Sequence, residues 1–389
     1  MRVLTNVARA GLALLAAAAL GPLEATAQEA ERHALTGDVA IFNIAGIVTI
    51  ERGGTDAVVV ELTRGGGDAG RLRIETGRLE GWQTLRVIYP DDEIVYPRMR
   101  GGSRTQFAVA EDGTFGGQWS DADDDFSLGT LLRAVLGEGG DRTTVRGSGS
   151  GLEAYADLRV LVPAGRTVAV QLGVGEVHAS NIDGRLLVDA RSGPVVASQL
   201  RGYARLATGS GRIELNGAQG DVRLDTGSGS IRASDIAGDR LSLDTGSGNV
   251  TAANIRSAAV DIDTGSGSVE VAGVRAERIA IDTGSGGVRI GGAETRQLDV
   301  DTGSGSVTVE LLTRIRDARI DTGSGSVTLT VPADFGALLD LSTGSGGIST
   351  DLPVQIQEKK RTSLRGTVGD GGARIVIDTG SGGIRIRSR

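Results

Sequence analysis

The chain has no cysteine, and only 2 His, 7 Pro and 3% aromatic residues among its 389. Each shortage excludes something. Without Cys there are no disulfides and no Cys-ligated metal, and no lipid-modified Cys can follow a leader. The two histidines, His33 and His178, lie far apart in sequence and read as incidental strand or surface positions. Trp82, Trp119 and all four Tyr fall outside the most regular part of the chain, which therefore lacks a platform for stacking sugars. Little Pro beside 62 Gly, with no Gly-X-Y period, excludes collagen. Positive charge is also short: the net charge is −8. Nucleic-acid binding wants a basic stripe, and capture by anionic lipid wants a basic patch; the overall balance argues against both.

Long apolar runs are missing too. Gly11 to Leu20 is about half the length of a membrane-spanning helix. With Arg2 and Arg9 before it and Ala25-Thr26-Ala27 after it, it reads as an export signal over residues 1–27. Removing Arg2, Arg9 and Glu24 leaves a net charge of about −9. No transmembrane segment is expected after cleavage. The expected location is exported: periplasm, cell surface or extracellular.

What the chain has is one phrase. Asp-Thr-Gly-Ser-Gly begins at Asp225, Asp244, Asp263, Asp282, Asp301, Asp321 and Asp378, and Thr-Gly-Ser-Gly recurs at Thr208 and Thr343. Steps between the Thr positions are 18 or 19 for most of the run, then 20, 21 and 36. Regular recurrence at this period means stacked, similar units. Around the phrase, branched residues alternate with polar ones, which is strand patterning. In one unit Leu241, Leu243 and Thr245 share a face, and Val250, Ala252 and Ile255 continue it. The next unit repeats this with Val260, Ile262, Thr264, Val269, Val271 and Val274. The reading is an all-β, single-stacked parallel β-solenoid (β-helix) with coils of about 19 residues, two short strands per coil and an irregular N-terminal cap. Its divisions are 1–27 (signal), 28–90 (irregular N-terminal coils), 91–150 (an excursion with loops and a short helix over Phe126 to Leu136) and 151–389 (the repeat domain). The 36-residue step between Thr343 and Thr379 reads as one degenerate coil with a bulge at Glu358-Lys359-Lys360-Arg361. Ile384 to Arg389 reads as a final strand and stacking edge.

Each member of the phrase has a structural task. Glycines permit positive φ and close backbone approach. Thr satisfies buried polar groups at the corner by bonding the next Thr or turn backbone, and Ser is a turn residue. Asp is the odd member, because like charges on neighbouring strands repel. It is expected to accept hydrogen bonds from the Gly-Ser-Gly backbone. The alternatives are a cation ladder, Ca²⁺ held along Asp225, Asp244, Asp263, Asp282, Asp301 and Asp321, and simple solvated charge; otherwise no metal, cofactor or catalytic residue is assigned. Arg223 and Arg319, close by the Asp row, favour the plain structural reading. Asp-Thr-Gly-Ser is also an aspartic-protease phrase, but that chemistry needs two carboxylates at one point. Asp121, Asp123 and Asp125 open like an EF-hand loop, but Phe126 and Leu132 stand where Gly and Glu are needed. The outward positions after the turn, Arg232, Thr251, Glu270, Arg289, Thr308 and Thr328, are too mixed for a crystal-binding Thr face.

The leader, Leu158-Arg159-Val160-Leu161-Val162-Pro163, the Thr-Gly-Ser-Gly coils and the ending Gly369 to Ile384 together resemble the bacterial putative-adhesin family of exported Gly-rich β-solenoids. The resemblance implies an envelope or extracellular place and a role without catalysis. The functional expectation is a surface for adhesion or for contact with a protein or envelope polymer. A ligand-sensing or envelope-stress module is the alternative, and a glycan-active β-helix enzyme the second alternative. The partner and oligomeric state stay open.

Overall fold

Alternating branched and polar residues make strands, and Gly-rich corners turn them. The computed structural model describes residues 30–116 and 140–389. Apart from one 3-10 turn at Ala69–Arg71, its regular elements are all β-strands. The expected signal, the helix at Phe126 to Leu136 and the Asp121–Asp125 run lie outside these residues.

The clearest repeats are Ile231–Thr245, Val250–Thr264, Val269–Thr283 and Val288–Thr302, each one strand of 15 residues. Here the expectation of two short strands per coil is corrected. The strand runs unbroken but skips one place in its in–out alternation. The skip sits on residues with left-handed backbone: Asn181, Gln199, Gly217, Asp235, Asn254, Gly273 and Gly292. One such residue bends the strand while its flanks keep hydrogen bonding to the coils on either side. Every inward position expected for these coils is buried, from Leu241 to Val274.

Neighbouring repeats pair in parallel, like on like. Leu243 aligns with Ile262 and then Ile281, and Thr245 with Thr264 and Thr283. Branched side chains thus form one continuous core from Leu35 to Ile386. Each fully buried Val, Ile or Leu contributes about 1.5–3 kcal/mol.

The N-terminal end is built differently. Val39–Arg52 is a full coil, pairing in parallel with Arg166–Ser180 despite the distance in sequence. Antiparallel strands cover it: Glu31–Leu35 on Val58–Gly65, Val58–Gly65 on Tyr155–Val162, and a hairpin of Arg73–Leu79 with Trp82–Ile88. The excursion forms a separate four-stranded sheet of Glu93–Val95, Arg104–Val109, Asp141–Arg146 and Leu152–Glu153. A second core joins this sheet to the outer face of the first coils. There Phe42, Ala169 and Leu187, outward positions of their strands, meet Tyr96, Phe107 and Phe115.

The C-terminal end departs most from expectation. Ala373–Thr379 lies between Asp317–Thr322 and Ala337–Thr343, parallel to both. Ile384–Ser388 lies between Val327–Val331 and Ile348–Thr350. The last copy of the phrase is therefore an interior coil, and Ile384 to Arg389 is no stacking edge. Nor do the 36 residues hold a degenerate coil. They hold Ile348–Thr350, which completes the turn of the stack begun by Ala337–Thr343, and then a hairpin, Val354–Lys359 with Ser363–Val368, whose second strand is antiparallel to Ala337–Thr343. The like-on-like ladder accepts any Thr-Gly-Ser-Gly coil at any level, so nearness in sequence does not decide order.

Candidate functional site

The phrase forms one corner, repeated up the stack. Thr226, Thr245, Thr264, Thr283, Thr302, Thr322 and Thr379 are fully buried. The Thr283 hydroxyl donates to the Gly267 carbonyl of the preceding coil at 3.0 Å and accepts from the Gly286 amide at 3.1 Å. Thr302, Thr322 and Thr379 repeat this double role. Of the two partners expected for Thr, the next Thr or turn backbone, it takes turn backbone, since a hydroxyl that binds two backbone groups satisfies both.

The glycines of the strict phrase do not use positive φ. Their reason is close approach alone. A Cβ on Gly267 would stand 1.7 Å from the Gly248 oxygen, and one on Gly286 1.7 Å from the Gly267 oxygen. Positive φ sits at the bend instead. That second ladder, with Asn181, Gln199, Asp235 and Asn254 in it, was readable from its own 18- to 19-residue period.

Beside the corner, Asp225, Asp244, Asp263, Asp282 and Asp301 align in register, followed by Asp321 and then Asp378. They form a line and do not converge on a point, so the geometry for a shared-proton carboxylate pair is absent from them. Among the described residues no group of three or more His, Cys, Asp or Glu is arranged to hold a metal ion. Asp225, Asp263, Asp282, Asp301 and Asp321 accept no hydrogen bond from the Gly-Ser-Gly backbone, contrary to expectation. Glycine amides of the phrase are committed elsewhere: the Gly265 amide donates to the Thr245 carbonyl, and the Gly305 amide to the Thr302 hydroxyl.

The carboxylates feel each other. Partial burial raises the Asp282 pKa, and the charges of Asp263, Asp301 and Asp299 raise it further. Asp321 is raised by burial and by Asp301 and Asp378, against the lowering effect of Arg319, 3.7 Å away. At the outer end the column relieves itself: the Ser342 hydroxyl donates to Asp378 at 2.6 Å. Asp261 and Asp299, in the adjacent column, widen the acidic strip into a shallow cleft of about 490 Å³ that includes Ser242 and Arg319. Arg278 and Arg374 border the same face. The column on the other side of the corner runs Arg232, Thr251, Glu270, Arg289, Thr308 and Thr328 in register, as expected. His33 pairs with Glu31 and His178 with Glu176, on separate strands.

Residues 221–387 match the sequence profile of the Toastrack DUF4097 family. Among solved structures, a protein described as a "putative cell adhesion protein", from Clostridium sporogenes ATCC 15579, aligns over 93% of this chain and 100% of its own. It is 8% identical, with a TM-score of 0.19, and at that score the likeness carries no argument about fold or function. No curated protein matches the chain.

Proposed function

We propose, from the match of residues 221–387 to the Toastrack family profile, that the chain is an exported, non-catalytic β-solenoid that presents its acidic side to a positively charged protein or envelope polymer. The parallel, in-register pairing of coil on coil supports the solenoid reading.

One observation carries the functional reading. Seven aspartates stand in a single column, and five of them, Asp225, Asp263, Asp282, Asp301 and Asp321, accept nothing from the glycine amides beside them, which bond Thr carbonyls and hydroxyls instead. Like charges on adjacent strands destabilise a sheet. Ser342 sits in the same column and relieves its neighbour, so a neutral residue fits there. A fold that keeps a costly row where a cheaper one fits is keeping it for contact with something cationic. Rigid coils hold the carboxylates at strand spacing, about 4.8 Å, which a flexible acidic loop does not do.

The test is capture by the immobilised full-length chain. Oligolysine serves as a defined probe, followed by a solubilised envelope fraction. The triple variant Asp263→Asn, Asp282→Asn, Asp301→Asn is expected to lose most oligolysine binding and most envelope capture while keeping its far-ultraviolet dichroism. Equal capture by variant and parent refutes the reading. Turnover of any member of a polysaccharide panel refutes its non-catalytic part.

A further inference from the structure

Net charge argues against anionic partners only if charge is evenly spread, and here it is not. The chain has two lysines, Lys359 and Lys360, and both lie with Arg361 at the tip of the hairpin that covers the C-terminal end of the stack. All three are exposed. Lys360 pairs with Glu358, and Arg365 with Asp340 at 3.0 Å. Among the described residues Lys359 and Arg361 have no ion pair.

The same end is thinly closed. Ile348, Leu352 and Val354 are half-buried against the main core. Ile356, two places beyond Val354 and so on the same side of its strand, is 53% exposed. Large exposed hydrophobics are scarce among the described residues, and Ile356 is one of two; the other, Leu338, lies two strands away, across Ser363–Val368.

We propose that this end of the stack docks on an anionic lipid bilayer. Lys359 and Arg361 meet headgroup phosphates, and Ile356 enters the boundary between headgroups and acyl chains. The two observations select this occupant together. A dissolved anion would pair the cations but leave Ile356 in water. The Asp column of a second copy would also pair them, yet apart from the half-buried Val376 its neighbours are charged or small, Ser242, Asp261, Ala280, Asp299 and Arg319, and give Ile356 little to pack on. A bilayer surface offers anion and hydrocarbon within a few ångströms. Docked in this way, the long axis of the stack leaves the membrane and the acidic side stays free.

The experiment is co-sedimentation of the full-length chain with vesicles of phosphatidylcholine alone, or of phosphatidylcholine mixed with phosphatidylglycerol. Partition onto the mixed vesicles is expected to be at least about tenfold stronger and to weaken as salt is added. Lys359→Glu combined with Arg361→Glu is expected to lower it about tenfold or more. Ile356→Ser is expected to lower it about fivefold at unchanged salt dependence. These positions are exposed, so unchanged dichroism is expected for each variant. Asp263→Asn is expected to bind vesicles as the parent does, which separates this proposal from the acidic-side reading. Equal partition onto both vesicle types overturns the proposal, as does undiminished binding by the charge-reversed variant. Sedimentation of the chain without vesicles, the sign of copies docking on each other, overturns it too.

Discussion

Replacing Asp282 by Asn should make the protein more stable. Asp282 has an Asp directly beside it on each neighbouring strand, Asp263 and Asp301. Carboxylates at strand spacing are about 5 Å apart, and two unit charges at that distance in water repel by about 0.8 kcal/mol. Screening at physiological ionic strength, with a Debye length of about 8 Å, roughly halves this. Two neighbours then make the charge on Asp282 cost about 1 kcal/mol, rising to about 1.5 kcal/mol in dilute buffer and falling to roughly 0.3 kcal/mol near 1 M salt. For a chain of this size the gain at physiological salt corresponds to about 1 °C in Tm. The dependence on pH has a definite sign. The Asp282 pKa is raised in the fold, so the native state favours the protonated form, and the stability that comes with protonation is lost as pH rises through the folded value. The advantage of Asn is therefore full at neutral pH and disappears below the ordinary carboxylate pKa of about 4. Thermal unfolding of parent and Asp282→Asn by circular dichroism, across salt and pH, is the assay. A Tm for the variant that is equal or lower in dilute buffer at neutral pH would refute the reasoning. A Tm of the parent alone that rises with Ca²⁺ would put a cation in the ladder.

Two other predictions concern the corner. Gly267→Ala places a methyl 1.7 Å from the Gly248 oxygen, and the coils must part to admit it; a loss of about 3 kcal/mol or more is expected in denaturant melts. Gly287→Ala, whose Cβ meets nothing nearer than the Ser306 oxygen at 3.4 Å, is expected within about 1 kcal/mol of the parent. Thr283→Val leaves the buried Gly267 carbonyl and Gly286 amide unpartnered and should cost about 2–4 kcal/mol by the same measurement, while Thr283→Ser recovers most of it.

The inward face was legible because burial in a stack depends on alternation, and alternation is written residue by residue: Val250, Ala252, Ile255 and Val260 could be placed from sequence and are buried. The bend was missed, although Asn181, Gln199, Asp235 and Asn254 keep its period, because strict repetition of one phrase masked a looser repetition of backbone need. Phe42, Ala169 and Leu187, apolar on an outward column, were a legible sign that the first coils are covered. The covering sheet itself was not, since strands of two to six residues carry too little pattern. Of the candidate site, the identity and alignment of the aspartates followed from the period. That Asp225, Asp263, Asp282, Asp301 and Asp321 take no bond from the phrase backbone did not, because it depends on where the glycine amides point. The order of the C-terminal coils was illegible in principle: Thr322, Thr343 and Thr379 offer the same ladder, and the pairing of Thr379 with both of the others is chosen by the hairpin and its connections.

The slotted coil changes how this end can come apart. In an ordinary stack the outermost coil includes a free end and can peel away, one nearest-neighbour contact at a time. Here the outermost coil, Ala337–Thr350, is held in the chain on both sides, by Val331 behind it and by the hairpin ahead of it. The partner of its strand Ala337–Thr343 across the ladder begins 30 residues after that strand ends, at Ala373. Lifting it away means looping out the middle of the chain while Ala373–Ser388 stays gripped, or drawing that segment out from between two coils. Neither can proceed residue by residue. Amide hydrogens of this coil should accordingly exchange together with those of Asp317–Thr322 and Ala373–Thr379, as one opening unit, with no gradient of fraying toward the tip.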